Sequence, residues 1–262
     1  CTNRLYCFIN KRIKFIMAYT TIKKPSDYFN TKLYTGNGTA GHAITGVGFQ
    51  PDWTWIKNRS YSANHMLYDA VRGATKAIFS NATDAENTSS GHLTAFGADG
   101  FTLGDNSGTG STNGNNETYA SWNWLANGTG VANTDGSISS TVSANTTSGF
   151  SIVKYTAGSS GAVSTIGHGL NSVPKMIMVK GIDSNSTPDQ WMVYHEALGN
   201  TKRIKLNSTD AAATGSGYWN NTTPTSSLFT VGNSSEGNSG NGLYIAYCFA
   251  EKQGFSKFGS YT

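Results

Sequence analysis

Four oxygen-bearing side chains flank one Gly/Asn/Ser-rich stretch. Asp105 and Asn106 open it and Asn116 and Glu117 close it, in DNSGTGSTNGNNE (105–117). Carboxylate and amide oxygens on one loop are hard donors that suit Ca²⁺, or partners that suit sugar hydroxyls. Set against that is a plainer reading, solvated residues of a surface loop. A second pair, Tyr218-Trp219, places two rings in the polar setting GSGYWNNTT. An exposed ring stacks on a sugar; a buried one fills a core. These six residues form the candidate ligand-binding set. No metal site is assigned, and Ca²⁺ is the one ion the loop would suit.

Catalytic patterns are missing. His42, His65, His92, His168 and His195 are scattered, with no metal-ligand spacing of the HExxH or CxxC kind, and no G-x-S-x-G elbow occurs. The glycine-rich GNGTAG (36–41) and GDNSGTGSTNG (104–114) lack the Lys-Ser/Thr of a phosphate-binding loop and open no plausible helix. Cys248, inside LYIAYCFA, reads as a small core residue, and no disulfide framework exists. The chain reads as non-enzymatic.

Charge excludes a further class. The formal +4 is carried by Arg4, Lys11, Arg12 and Lys14; from Met17 onward basic and acidic residues balance. Nucleic-acid binding needs a basic excess that is not there. No stretch approaches the ~20 apolar residues of a membrane span, so membrane insertion is not expected. Residues 1–16 open on Cys and hold two of the three cysteines. They read as untranslated upstream sequence, with the native start expected at Met17.

The elements that would position these residues are short strands. TWIK, KMIMVK, GFTLG, LFTVG, FSIVKY and GLYIAYCFA are rich in β-branched and aromatic residues and are divided by Gly, Asn, Ser and Asp. ISSTVSAN is a weaker strand candidate. An internal repeat organises them. LYDAVRGATKAIFSNATDA (67–85) matches VYHEALGNTKRIKLNSTDA (193–211) at one offset, with Tyr68 on Tyr194, Gly73 on Gly199 and Asn81 on Asn207. The second copy alternates Arg203, Ile204, Lys205, Leu206, a period of two, so both copies are expected to be β-hairpins turning near Gly73 and Gly199. Many short strands with polar turns point to an antiparallel sandwich or barrel. Trp53 and Trp55, like Trp122 and Trp124, lie two apart in strand-like runs, so each pair shares one face and reads as a core stripe.

The phrases YTGNGTAGHAITGVGFQPDWTWIKNRS, LYDAVRGATK, ADGFTLGDNSG, ASWNWLANG and AYCFAEKQGFSKFGSYT resemble tandem-repeat virion proteins of tailed phages, marine ones above all. The resemblance runs from about Met17 to the last residue. It implies an all-β protein of two tandem antiparallel β-sandwich domains, concanavalin-like jelly rolls related by duplication. It also implies a place in the virion, as a tail or fibre component assembled in the host cytoplasm. Its partners would be other virion proteins, further copies of itself and host-surface glycans. The family supplies no site residues. A structural spacer or capsid decoration protein is the first alternative. A polysaccharide-degrading tail enzyme is the second; it needs two carboxylates about 5–9.5 Å apart, and no such pair stands out.

The expected organisation follows from the repeat. Residues 17–126 form the first sandwich, 127–135 a linker and 136–253 the second sandwich. GFSKFGSYT (254–262) repeats the form of YFNTKLYT and GFSIVKYT, each of which opens a copy. It is expected to be the first strand of a truncated third unit or a closing strand of the second.

Overall fold

The computed structural model describes residues 19–186 and 190–261. The expected leader, 1–16, lies outside them. Strands dominate. The first unit contains β1 (Phe29–Thr35), β2 (His42–Thr45), β3 (Trp53–Asn58), β4 (Met66–Asp69), β5 (Lys76–Phe79), β6 (Asn87–Thr88), β7 (Leu93–Gly97), β8 (Gly100–Leu103) and β9 (Thr118–Trp124). The second contains β10 (Val131–Asn133), β11 (Ser140–Asn145), β12 (Phe150–Thr156), β13 (Ser164–Gly167), β14 (Pro174–Gly181), β15 (Met192–His195), β16 (Lys202–Lys205), β17 (Ala213–Thr214), β18 (Leu228–Val231) and β19 (Leu243–Ala250). One short helix, α1 (Ser216–Trp219), and two 3₁₀ turns, at Pro25–Asp27 and Glu196–Leu198, complete the described elements.

Every strand pairing within the sheets is antiparallel. A large sheet in the first unit runs β1-β9-β3-β4-β5-β6 and faces a small one, β2-β8-β7. In the second unit the large sheet runs β10-β11-β12-β19-β14-β15-β16-β17 and the small one pairs β13 with β18. With the strands matched through the sequence repeat, β12-β19-β14-β15-β16-β17 has the order of β1-β9-β3-β4-β5-β6. Both expected hairpins form: Met66 pairs with Phe79, and Met192 with Lys205 at the same offset. Gly73 and Gly199 take φ of +110° and +76°, a region costly for any residue with a Cβ, which is why glycine stands at both turns.

Each unit has its own core between its two sheets. Ile56, Met66, Tyr68, Phe101, Leu103 and Tyr119 fill the first. Val153, Tyr155, Ile177, Tyr194, Trp219 and Phe229 fill the second. A third core lies between the units. Trp53, Leu67, Val71 and Ile78 from the first unit pack with Phe150, Ile152, Met178, Trp191 and Tyr247 from the second. The alternating faces of β3 and β9 explain this. Ile56, Ser121 and Tyr119 look into the first unit's sandwich, while Trp53, Trp55, Trp122 and Trp124 look outward from it. The tryptophans do share a face, and Trp53, Trp55 and Trp124 on it pack into the core between the units.

Two expected boundaries are corrected. The stretch 127–135 is not a bare linker, because β10 lies in it and pairs with β11 through Val131–Val142 and Asn133–Ser140. The described residues of the segment 254–262 form neither an opening nor a closing strand. They make a turn held by one isolated Lys252–Ser256 bridge, and Phe255 and Phe258 lie against the junction of the units. The glycines at 254 and 259 favour a turn over a ladder.

Candidate functional site

The loop between β8 and β9 keeps its polar side chains for itself. Asn106, at φ +68°, accepts at its Oδ1 from the backbone N–H of Thr112 (2.8 Å) and of Asn113 (2.9 Å). Glu117 turns inward, and its Oε2 accepts from Asn58 Nδ2 (2.7 Å), Ser111 Oγ (3.0 Å) and Tyr119 OH (2.5 Å). Asp105 is exposed and accepts from the hydroxyl and the N–H of Ser107, which together hold its carboxyl below the usual range. Asn116 is exposed at φ +62°, with its N–H donating to Gly36 O. The four expected donors therefore do not converge on a ligand. Two of them anchor the loop, because buried amide and carboxylate oxygens satisfy backbone and hydroxyl donors that would otherwise be stranded. Among the described residues no group of three or more His, Cys, Asp or Glu side chains could hold a metal ion.

Tyr218 and Trp219 are corrected as a sugar-stacking pair. Both lie on α1. Trp219 is 1% exposed in the second core, edge-on to Tyr194 at 5.6 Å. Tyr218 is half-buried with the Arg203 guanidinium 4.7 Å over its ring, and Arg203 is itself bound in bidentate fashion to Glu236. The polar residues around the pair in sequence border α1 without surrounding its rings.

A residue passed over in the sequence closes this loop. Asn113, fully buried, donates to Gly104 O (2.6 Å) and Thr39 O (3.0 Å) and accepts from the N–H of Asn37 (3.0 Å). In the second unit, Asn238 donates to Gly232 O (3.1 Å) and Ala162 O (2.6 Å) and accepts from the N–H of Gly158 (3.2 Å). Each Asn stands six residues before a tyrosine, Tyr119 or Tyr244, stacked on a second one, Tyr34 at 5.0 Å or Tyr155 at 5.3 Å. The shared Asn-to-Tyr spacing was the available signal. It was masked by the many other Asn in both loops.

The open feature of the molecule is a groove where the two large sheets splay apart. Cross-strand pairing sets Phe29 beside Trp124 beside Trp53, and Trp122 beside Trp55, as an aromatic wall. Trp53 is clamped, stacked on Tyr247 at 4.4 Å; Trp55 and Trp124 are half-buried. A chamber of about 480 Å³ lies against this wall, closed from the second unit by Met176, Met178 and Phe249 and from the C-terminal segment by Phe255 and Phe258. It continues past Trp55 and Leu206 into a shallower recess of about 620 Å³ bordered by His65, Ser80, Asn81, Asn207, Ser208 and Thr209.

Asn81 and Asn207, repeat equivalents, thus meet in one recess. They are held alike. Asn81 accepts from the N–H of His65 and donates to Asn64, while Asn207 accepts from the N–H of Trp191 and donates to Gln190. Each amide keeps a second N–H and a lone pair for another partner. Among the described residues, no Asp, Glu, Lys or Arg lines the chamber or the recess. Burial, and secondarily Lys57, hold His65 below its ordinary pKa, so it is neutral at neutral pH. In the sequence Asn81 and Asn207 mark only matching positions of two similar stretches, since nothing local says that the two stretches will face one another.

Charge is buried beside the groove, not in it. Asp69 accepts from Arg72 Nε (2.6 Å) and from Tyr247 OH of the second unit (2.7 Å); Glu86 approaches Arg72 at 3.3 Å. Lys180 donates to Thr83 O of the first unit (3.0 Å). Trp191 Nε1 donates to Phe79 O (2.9 Å). These ties fix the relative position of the two sheets and hence the width of the groove.

A family model described as a domain of unknown function (DUF7483) matches residues 24–262. No curated protein and no solved structure matches the chain. The match spans both units and the groove between them, and the chain belongs to the DUF7483 family.

Proposed function

We propose that this chain is a non-enzymatic phage virion protein, tail-associated, that binds host-surface glycans in the groove between its two units. One observation carries the binding part. The half-buried Trp55 borders a recess rimmed by amide and hydroxyl side chains, Asn81, Asn207, Ser208 and Thr209. The C–H face of a pyranose ring packs on an indole, while its hydroxyls need partners of this amide and hydroxyl kind. The groove replaces the β8–β9 loop as the binding surface, because the loop's oxygens are already taken. Among the described residues the walls carry no carboxylate, so these residues offer no acid–base pair for glycoside cleavage. The virion setting rests on the resemblance of the repeated phrases to phage virion proteins. Many copies on one particle would turn weak contacts into avidity.

The test is a multimerised form of the protein on a glycan array and on host cells. Trp55→Ala is expected to lower binding about tenfold, equivalent to ~1.4 kcal/mol per site. No binding by the wild-type multimer to any glycan or cell would overturn the reading.

A further inference from the structure

We infer that the groove takes an uncharged amphiphile, a glycan carrying a hydrocarbon chain, with the chain in the Phe29–Phe249–Phe258 chamber and the sugar against Asn81 and Asn207. This rests on the glycan reading above and names the ligand class for the same site. Three observations carry it. First, the two halves of the groove differ in chemistry. The chamber is walled mostly by aromatic, methionine and aliphatic side chains, with only Ser148 and Ser256 as hydroxyls among its described lining, whereas the recess is rimmed mostly by amides and hydroxyls, with His65 beside them. A sugar pushed into the chamber would lose hydrogen bonds to water at each hydroxyl, whereas a hydrocarbon chain loses none and gains burial.

Second, the halves are contiguous. Trp55 and Leu206 line both, so one molecule can span them with its polar–apolar junction at these two residues. The chamber's volume falls within the ~300–1,000 Å³ of small-molecule sites. Third, among the described residues no Asp, Glu, Lys or Arg lines either half, and His65 is neutral. A carboxylate or sulfate head would be desolvated there with no cation to receive it. Phe255 and Phe258 already form a wall of the chamber, so the chain's own C-terminal segment is part of the container and not the occupant.

The experiment is titration of the whole protein, followed by tryptophan fluorescence and calorimetry, with octyl, decyl and dodecyl maltoside below their micelle concentrations. Maltose and dodecyl sulfate serve as comparisons. Affinity is expected to rise about fourfold for each methylene that enters the chamber. Dodecyl sulfate is expected to bind at least tenfold more weakly than dodecyl maltoside. Leu206→Trp, at a partly exposed position, narrows the shared mouth and is expected to flatten the chain-length dependence; Phe258→Ala checks the same wall from the other side.

Maltose binding as tightly as its dodecyl form would overturn the hydrocarbon assignment and leave the glycan reading standing. Dodecyl sulfate binding as tightly as the maltoside would overturn the neutral head. A protein that dimerises, loses the dimer in Leu206→Trp and binds no alkyl maltoside would assign the chamber to a second copy and overturn the proposal. If neither maltose nor any alkyl maltoside binds, and the glycan array is also blank, both readings fail.

Discussion

At the scale of residues, a few buried polar side chains do more than the many exposed ones. Asn113 and Asn238 each replace several backbone partners that a loop cannot supply internally. Removing either amide strands carbonyls and an N–H under the surface, and a stranded buried group costs ~1–3 kcal/mol. Asn113→Ala and Asn238→Ala are each expected to lower stability by about 2–3 kcal/mol, read as a drop in urea midpoint at constant slope. A change below ~0.5 kcal/mol would show that the loops hold themselves. Cys248 illustrates the opposite case. It is fully buried, burial pushes its thiol up to about 12, and it is inert packing between the strands of the second core.

At the scale of elements, the hairpins β4–β5 and β15–β16 and their glycines set where the repeated Asn81 and Asn207 emerge. A Cβ at Gly73 or Gly199 meets no steric obstacle within van der Waals distance other than the Lys76 side chain at 3.9 Å, so the penalty is one of backbone conformation. Gly73→Ala and Gly199→Ala are expected to cost about 1–2 kcal/mol each. The large sheets meet through Asp69, Arg72 and Tyr247. Asp69→Asn removes the nearer carboxylate of the buried Arg72 guanidinium, leaving Glu86 at 3.3 Å as its charge partner, and is expected to cost about 1.5–3 kcal/mol. Tyr247→Phe removes one hydrogen bond to that carboxylate and is expected to cost about 1.5–3 kcal/mol. A double-mutant cycle between the two gives a coupling above ~0.5 kcal/mol if the bond reaches across the units as described.

At the scale of the whole molecule, the third core makes the two units one cooperative body. Chemical unfolding of the whole chain is expected to show one transition by tryptophan fluorescence and by circular dichroism. The second unit expressed alone, with Phe150, Trp191 and Tyr247 uncovered, is expected to bind ANS or aggregate. Two separated transitions would mean that the interface contributes little. Acid acts on the whole molecule through His92 and His168, both fully buried and held below the ordinary 6.5 chiefly by burial. Their charged forms are disfavoured only in the folded chain, so below pH 6.5 the unfolded chain binds more protons. Stability is then full above pH 6.5 and falls as pH drops towards the lowered folded values. Urea midpoints measured downward from pH 7.5 are expected to decrease, and His92→Gln with His168→Gln is expected to flatten the decrease.

The strands, the turns and the pairing of the two hairpins were legible in the sequence, because each depends on residues a few positions apart. Alternation in TWIK and KRIK, glycine at the turns and the matched offset of Tyr68 and Tyr194 carry that information locally. The face shared by Trp53 and Trp55 was legible for the same reason. What that face meets was not: periodicity says which side chains lie together on a strand, and nothing in it names the sheet that packs against them. Only the tertiary structure turned the expected core stripe into one wall of a groove, set the short β10 within 127–135, laid Phe255 and Phe258 on the chamber and drew the oxygens of Asn106 and Glu117 inward. Each of these is decided by which buried surfaces and stranded hydrogen-bond groups find partners far away in the chain, a balance that no short stretch of sequence contains.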